Sequence, residues 1–172
     1  MFRYKNPIFL FLFCILSIPL LSKIITIDSH IDIPFDYMEN PEHDPGKITD
    51  MQVDLYKMKK GGLDSGFFVV YVPQGPLDKA GFKNARLLAE KKFLAISKMI
   101  KTYSNQIGLA LAPEDIIQLK NNKLLSAAIG IENGYVIGED LSLLDYYYSL
   151  GARYMTLTHI GHNQIADSSI PS

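Results

Sequence analysis

Phe67-Phe68-Val69-Val70-Tyr71-Val72 is an unbroken apolar run of β-branched and aromatic residues that stops at Pro73. A short run of this type is the pattern of a strand buried on both faces, as in a parallel sheet covered by helices. Its flanks are helical. Upstream, Ile48 to Lys60 places Met51, Leu55 and Met58 at helical spacing and is closed by the C-cap pair Gly61-Gly62. Downstream, Ala80 to Tyr103 reads as one long helix, with Phe82, Ala85, Ala89, Phe93, Ile96 and Ile100 stepping by three and four.

The same alternation extends in both directions. Ile24-Ile25-Thr26-Ile27 is a β-branched run expected to be a strand entering a loop at Asp28, and a polar, Pro-containing loop follows from Phe35 to Lys47. Ile107 to Leu111 is a third strand, after which Pro113 opens a helix with Glu114 and Asp115 in its first turn. Ser126 to Ile131 is a fourth strand ending on Glu132. Asp140 caps a helix through Leu150 that Gly151 closes, and Arg153 to Thr158 is a fifth strand ending on His159. Five strands with helices between them and no hairpin signal predict parallel strands and crossover helices, hence an α/β sheet or barrel. A doubly wound sheet competes, but no Gly-x-Gly-x-x-Gly follows the first strand, and the phosphate-cradling Gly-Lys-Ser/Thr pattern is absent. A barrel places functional groups at strand C-termini. His30 and Asp32, Glu132, and His159 all fall there.

The 172 residues suit one domain, and 48% apolar content is enough for a sizeable core. A net charge of −1 provides no basic field for nucleic acid. The single cysteine, Cys14, lies in the N-terminal apolar stretch, so any metal site in the rest must use nitrogen and oxygen donors. In residues 1–22, Arg3 and Lys5 precede an uncharged run from Pro7 to Leu21, the layout of a secretory signal. That run is shorter than the roughly 18 residues of a comfortable membrane span. Leu20 and Ser22 do not form an Ala-x-Ala cleavage pattern, and Cys14 lacks the small neighbours of a lipidated cysteine. Export to the periplasm or beyond is expected, with an uncleaved membrane anchor through residues 7–21 as the alternative.

Side chains two apart on a strand point the same way, so His30 and Asp32 can hold one divalent metal. Glu132, with two oxygens, can bridge two cations if the strand ends converge. Zn²⁺ would lower the pKa of its bound water to roughly 7. Plainer readings stand beside these. His-x-Asp is common by chance, Glu132 can be a loop carboxylate, and His159 a hydrogen-bonded structural histidine. His162 reads as a supporting or structural group, His43 as a solvated surface residue, and Asp54 and Asp64 as structural hydrogen-bonders.

Several segments in order resemble the membrane (renal-type) dipeptidases, in their bacterial branch. They are Asp28-Ser29-His30-Ile31-Asp32-Ile33-Pro34, Gln52-Val53-Asp54-Leu55, Lys59 to Phe68, Val70 to Gln74, Ile129 to Gly134, Leu150 to His159, Asn163 and Ala166-Asp167-Ser168. The resemblance implies a (β/α)₈ TIM barrel of the metal-dependent hydrolase type, with residues 23–172 as its N-terminal portion, truncated to about five β/α units. It implies a zinc-dependent dipeptidase acting through a metal-bound hydroxide on a dipeptide. His30 and Asp32 would be ligands of the first zinc, and Glu132 the carboxylate bridging both zincs. His159 would be the catalytic and substrate-binding group that contacts the carbonyl and steadies the oxyanion. The second-zinc histidines come from later strands and have no counterpart here. Asn133 stands where renal-type members carry glycine. Two expectations follow: a fragment of a dizinc dipeptidase, or an inactive truncated remnant that binds at most one metal or acts through partners. Open sheet edges would favour self-association.

Overall fold

The computed structural model describes residues 24–170, so Cys14 and the N-terminal apolar segment of residues 1–22 lie outside the described residues. Among the described residues five strands are present: β1 (Ile27–Asp32), β2 (Ser65–Tyr71), β3 (Ile107–Leu109), β4 (Leu125–Glu132) and β5 (Ala152–Met155). The α-helices are α1 (Leu55–Gly61), α2 (Lys79–Thr102), α3 (Pro113–Asn121) and α4 (Ser142–Ser149). Short 3₁₀ turns occur at Pro41–His43 and Gly134–Ile137.

All pairings are parallel, as the absence of hairpin signals requires. The spatial order, however, departs from the chain order. β2 pairs directly with β4, from Ser65↔Ser126 to Tyr71↔Glu132. β3 and β5 pair with other parts of β4, β3 at Leu125–Ala127 and β5 at Ile129–Ile131. β3 spans three residues, two fewer than the apolar run Ile107 to Leu111: Ala110 N still donates to Ala127 O (2.8 Å), but Leu111 N turns to the Asp115 carboxylate (2.7 Å) in the first turn of α3. β1 lies on the far side of β2.

Alternation along β2 and β4 sorts their side chains into two faces. Phe68, Val70, Ala127, Ile129 and Ile131 join Ala85, Ala89, Phe93, Ile96 and Met99 of α2 in the apolar core. The opposite face carries Phe67, Val69, Tyr71, Ala128, Gly130 and Glu132. It is this face, with small residues in the middle and polar groups at the strand ends, that bears the candidate site.

Further boundaries differ from the sequence expectation. β1 begins at Ile27 and runs through His30 and Asp32, with an extra residue between Asp28 and Ile31 relative to β2. α1 begins at Leu55 rather than Ile48. Asp54 caps it, accepting from Lys57 N (2.8 Å), and also binds Thr49 N (3.0 Å) and Thr49 Oγ1 (3.1 Å). That buried carboxylate wraps the preceding segment round itself, which the helical spacing of Met51 and Leu55 does not reveal. β5 ends at Met155, three residues before the expected Thr158. His43, expected to be solvated, is instead half-buried and paired with Asp36 at 2.5 Å.

Helix α2 also fastens the loop after β1. Lys92 Nζ donates to Ile33 O (2.7 Å), Lys98 Nζ to Met38 O (2.8 Å), and Lys91 pairs with Glu39 (3.0 Å). Lys92 is only 3% exposed, and its ammonium lies 4.5 Å from the centre of the Phe35 ring. Burial pulls its pKa down to about 8, against the charges of Asp32 and Glu132, which act the other way. A lysine whose pKa is lower folded than unfolded binds fewer protons in the folded chain. Stability therefore rises with pH between about 8 and the ordinary lysine value near 10.4. In the metal-free protein, wild type is expected to gain on Lys92→Met by up to about 1.4 kcal/mol per pH unit across that window, measured by urea unfolding. A pH-independent difference would contradict the burial.

Candidate metal centre

Three of the candidate side chains sit at strand ends, His30 and Asp32 on β1 and Glu132 on β4. The bulge in β1 lets the Asp28 carboxylate accept from His30 N (2.9 Å) and re-aims His30. His30 Nε2 then lies 3.7 Å from Asp32 Oδ1 and 3.3 Å from Glu132 Oε2. Glu132 is the last residue of β4, placed level with Tyr71 of β2 by the register. Its second oxygen, Oε1, lies 3.4 Å from His159 Nε2. The four expected residues therefore come together, with Glu132 between two imidazoles.

His159 arrives by a different route from the one expected. It lies four residues beyond β5, on a loop tied to the end of β4. Thr156 N donates to Ile131 O (3.0 Å), Gly134 N to Leu157 O (3.2 Å), and Ser168 Oγ to His159 O (2.6 Å). The imidazole meets Tyr71 edge-on, with ring centres 4.9 Å apart. His162 belongs to this loop rather than to the cluster, accepting from Ser168 N (3.1 Å) beside Asp167.

Asn133, directly after Glu132, is fully buried and has φ +79°, a region that glycine enters freely and asparagine more readily than most residues. Its amide offsets the strain with hydrogen bonds: Nδ2 donates to Val72 O (3.1 Å), and Oδ1 accepts from Tyr135 N (3.2 Å) and Asn163 Nδ2 (3.0 Å). Thus the amide binds the loops after β2 and β5 together.

His30, Asp32 and Glu132 each offer an atom within 4.8 Å of the others. Two ligands of one ion at roughly 2.1 Å stand about 3–4 Å apart, and the His30–Glu132 and His30–Asp32 separations already fall in that range. An imidazole with two carboxylates and no sulfur is a donor set for a divalent cation, so the residues fit the metal. His30 and Asp32 open on a cavity of about 600 Å³ whose wall includes Pro34, Phe35, Tyr71 and Lys92. A cavity of about 680 Å³ nearby is lined by loop residues around His43 and Asp50 and holds none of the cluster.

Sequence reasoning gave no role to Tyr71, Lys92 or Tyr154. Tyr71 and Tyr154 have pKa values raised first by burial and then by Glu132 and Asp32, which places both phenols in the field of the carboxylates. Only for Tyr71 was there a signal, a polar aromatic closing an apolar strand. For the others, a lysine on an apolar helix stripe and a tyrosine inside a strand point nowhere until the neighbours are known.

The family model described as membrane dipeptidase (peptidase family M19) matches residues 17–172. Dipeptidase verJ of Clonostachys rogersoniana is 26% identical over 166 residues, covering 89% of this chain and 42% of that protein. Dipeptidase 3 of Mus musculus is 27% identical over 148 residues, covering 83% and 28%. Among solved structures, the probable dipeptidase PvdM from Pseudomonas aeruginosa superimposes with a TM-score of 0.79 at 28% identity, over 87% of this chain and 38% of that one. A metallo peptidase from Rhodobacter sphaeroides, liganded with a phosphinate mimic of the dipeptide L-Ala-D-Ala, shares the fold. Its TM-score is 0.64 at 21% identity, covering 81% of this chain and 48% of that one. The chain spans less than half the length of the curated relatives it matches.

Replacing Glu132 by alanine should weaken Zn²⁺ binding, read by competition with a chromogenic chelator. The loss should exceed the roughly 10–100-fold that follows removal of an outer partner. His43→Ala, at a histidine–carboxylate pair outside the cluster, should leave the affinity unchanged.

Proposed function

This chain belongs to the membrane dipeptidases, peptidase family M19, and we propose that it carries the first-metal half of a zinc-dependent dipeptidase site. The observation that supports this most is the convergence of His30, Asp32 and Glu132 from separate strands, with His159 on the far oxygen of Glu132. In this reading His30, Asp32 and Glu132 would hold a Zn²⁺, with the Glu132 carboxylate able to serve a second cation as well. When bound, the metal supplies a water whose pKa is lowered to near 7 and polarises the carbonyl.

The chain's own groups do the rest. Hydrolysis adds one water across the peptide bond: the hydroxyl goes to the carbonyl carbon, the C–N bond breaks, and the leaving amine takes the proton. As the carbonyl carbon becomes tetrahedral, its oxygen gains negative charge. An imidazole N–H from His159 would donate to that oxygen, with the Tyr71 ring packed edge-on against it. Phe35 and Tyr71 give the cavity beside His30 and Asp32 an aromatic wall.

The substrate class is a dipeptide, consistent with the named relatives. The protein that carries this sequence, loaded with Zn²⁺, is expected to release free amino acids from L-Ala-D-Ala, followed by chromatography. Glu132→Gln should abolish the release while leaving the far-ultraviolet circular dichroism unchanged. Cation binding without any hydrolysis by the wild type would favour the one-metal, non-catalytic reading instead.

Export is part of the same proposal. The basic-then-apolar character of residues 1–22 supports an export signal. N-terminal sequencing of the protein from the producing cell should begin near residue 23. A start at Met1 would favour the anchor.

A further inference from the structure

Beyond the four residues at the strand ends, one side chain reaches the site from across the sheet. Tyr154 of β5 lies on the same face as Gly130 and Glu132, and its hydroxyl touches β1 at two points. It is 3.1 Å from Ser29 O and 3.2 Å from His30 Nδ1. Room for the ring comes from Gly130, where a Cβ would overlap the Tyr154 ring. The ring is steadied by Phe67 of β2, with ring centres 5.1 Å apart. Four strands therefore place this one hydroxyl.

A phenol has one proton, and a backbone carbonyl can only accept. For both contacts to be hydrogen bonds, the Tyr154 O–H must donate to Ser29 O. Its oxygen must then accept from His30 Nδ1–H. A neutral imidazole protonated at Nδ1 has its lone pair on Nε2, the nitrogen that faces Asp32 Oδ1 at 3.7 Å and Glu132 Oε2 at 3.3 Å. We propose that Tyr154 is a positioning residue that locks His30 in the Nδ1–H tautomer and so presents the Nε2 lone pair to the cation. The cation-binding part of this inference rests on the function proposed above, while the tautomer stands on the hydrogen bonds alone. A relay from a metal-facing histidine through its other nitrogen to a backbone acceptor is the usual means of fixing ring orientation at metal sites.

The test reads the tautomer directly, before any metal is added. The ¹⁵N-histidine-labelled full chain is examined by long-range ¹H–¹⁵N correlation at pH about 8.5, where an ordinary imidazole is neutral. His30 is assigned by the loss of its signal in His30→Asn. Wild type should show Nδ1 protonated and Nε2 bare. Tyr154→Phe keeps the ring and its contact with Phe67 but removes the hydroxyl. It should shift His30 towards the Nε2–H form and weaken Zn²⁺ binding by about 10–100-fold in a chelator competition. An Nε2–H tautomer in wild type overturns the proposal. So does a Tyr154→Phe protein with tautomer and affinity unchanged. The expected tautomers in a wild-type chain that binds no cation would support the role of Tyr154 and overturn the metal-site reading. The two failures are thereby distinguishable.

Discussion

The in-register pairing of β2 with β4 is the constraint on which the rest depends. Seven consecutive residue pairs, Ser65↔Ser126 to Tyr71↔Glu132, bring the ends of two chemically different strands level. Both strands are buried on both faces, so a slip by one residue would turn Phe68 and Ile129 away from α2 and drive Glu132 into the apolar core. The register is thus held by the hydrophobic cost of every alternative. Once it is set, β1 on one side and β5 on the other can aim side chains at the same end of the same face.

The loops beyond the strands are held by polar contacts instead. Asn133 in its left-handed conformation binds the turns after β2 and β5 to the end of β4. Three lysines of α2 fasten the segment after β1 through backbone carbonyls and Glu39. Lys92 is the costly member, an ammonium among apolar and aromatic groups with one carbonyl partner at 2.7 Å. That arrangement keeps the loop carrying Phe35 against the wall of the cavity, next to the two residues read as ligands.

Much of the fold is legible in the sequence, and the misreadings share a cause. The long apolar stripe of α2 and the runs in β2 and β4 bury large, regular surfaces, and periodicity reports these directly. The start of α1 and the pairing of His43 depend on a few local hydrogen bonds accepted by the Asp54 and Asp36 carboxylates, which leave no periodic trace. At the site, His30, Asp32 and Glu132 could be picked out because imidazole and carboxylate at strand ends are chemically conspicuous. Tyr154 could not, since its position is explained by Gly130, 24 residues away in the chain and adjacent only in the sheet.

By itself, the sequence determined which segments are strands and helices, that the strands run parallel, and that any metal site uses nitrogen and oxygen. These follow from local periodicity, the lack of tight turns and the donor types present. Only the tertiary structure decided that β2 neighbours β4 rather than β3. Only it showed that Glu132 stands between two imidazoles and that a phenol from β5 meets the first of them. The reason is physical: strand adjacency is chosen by the packing of whole surfaces between distant segments. Which polar groups meet at the strand ends is a consequence of that choice.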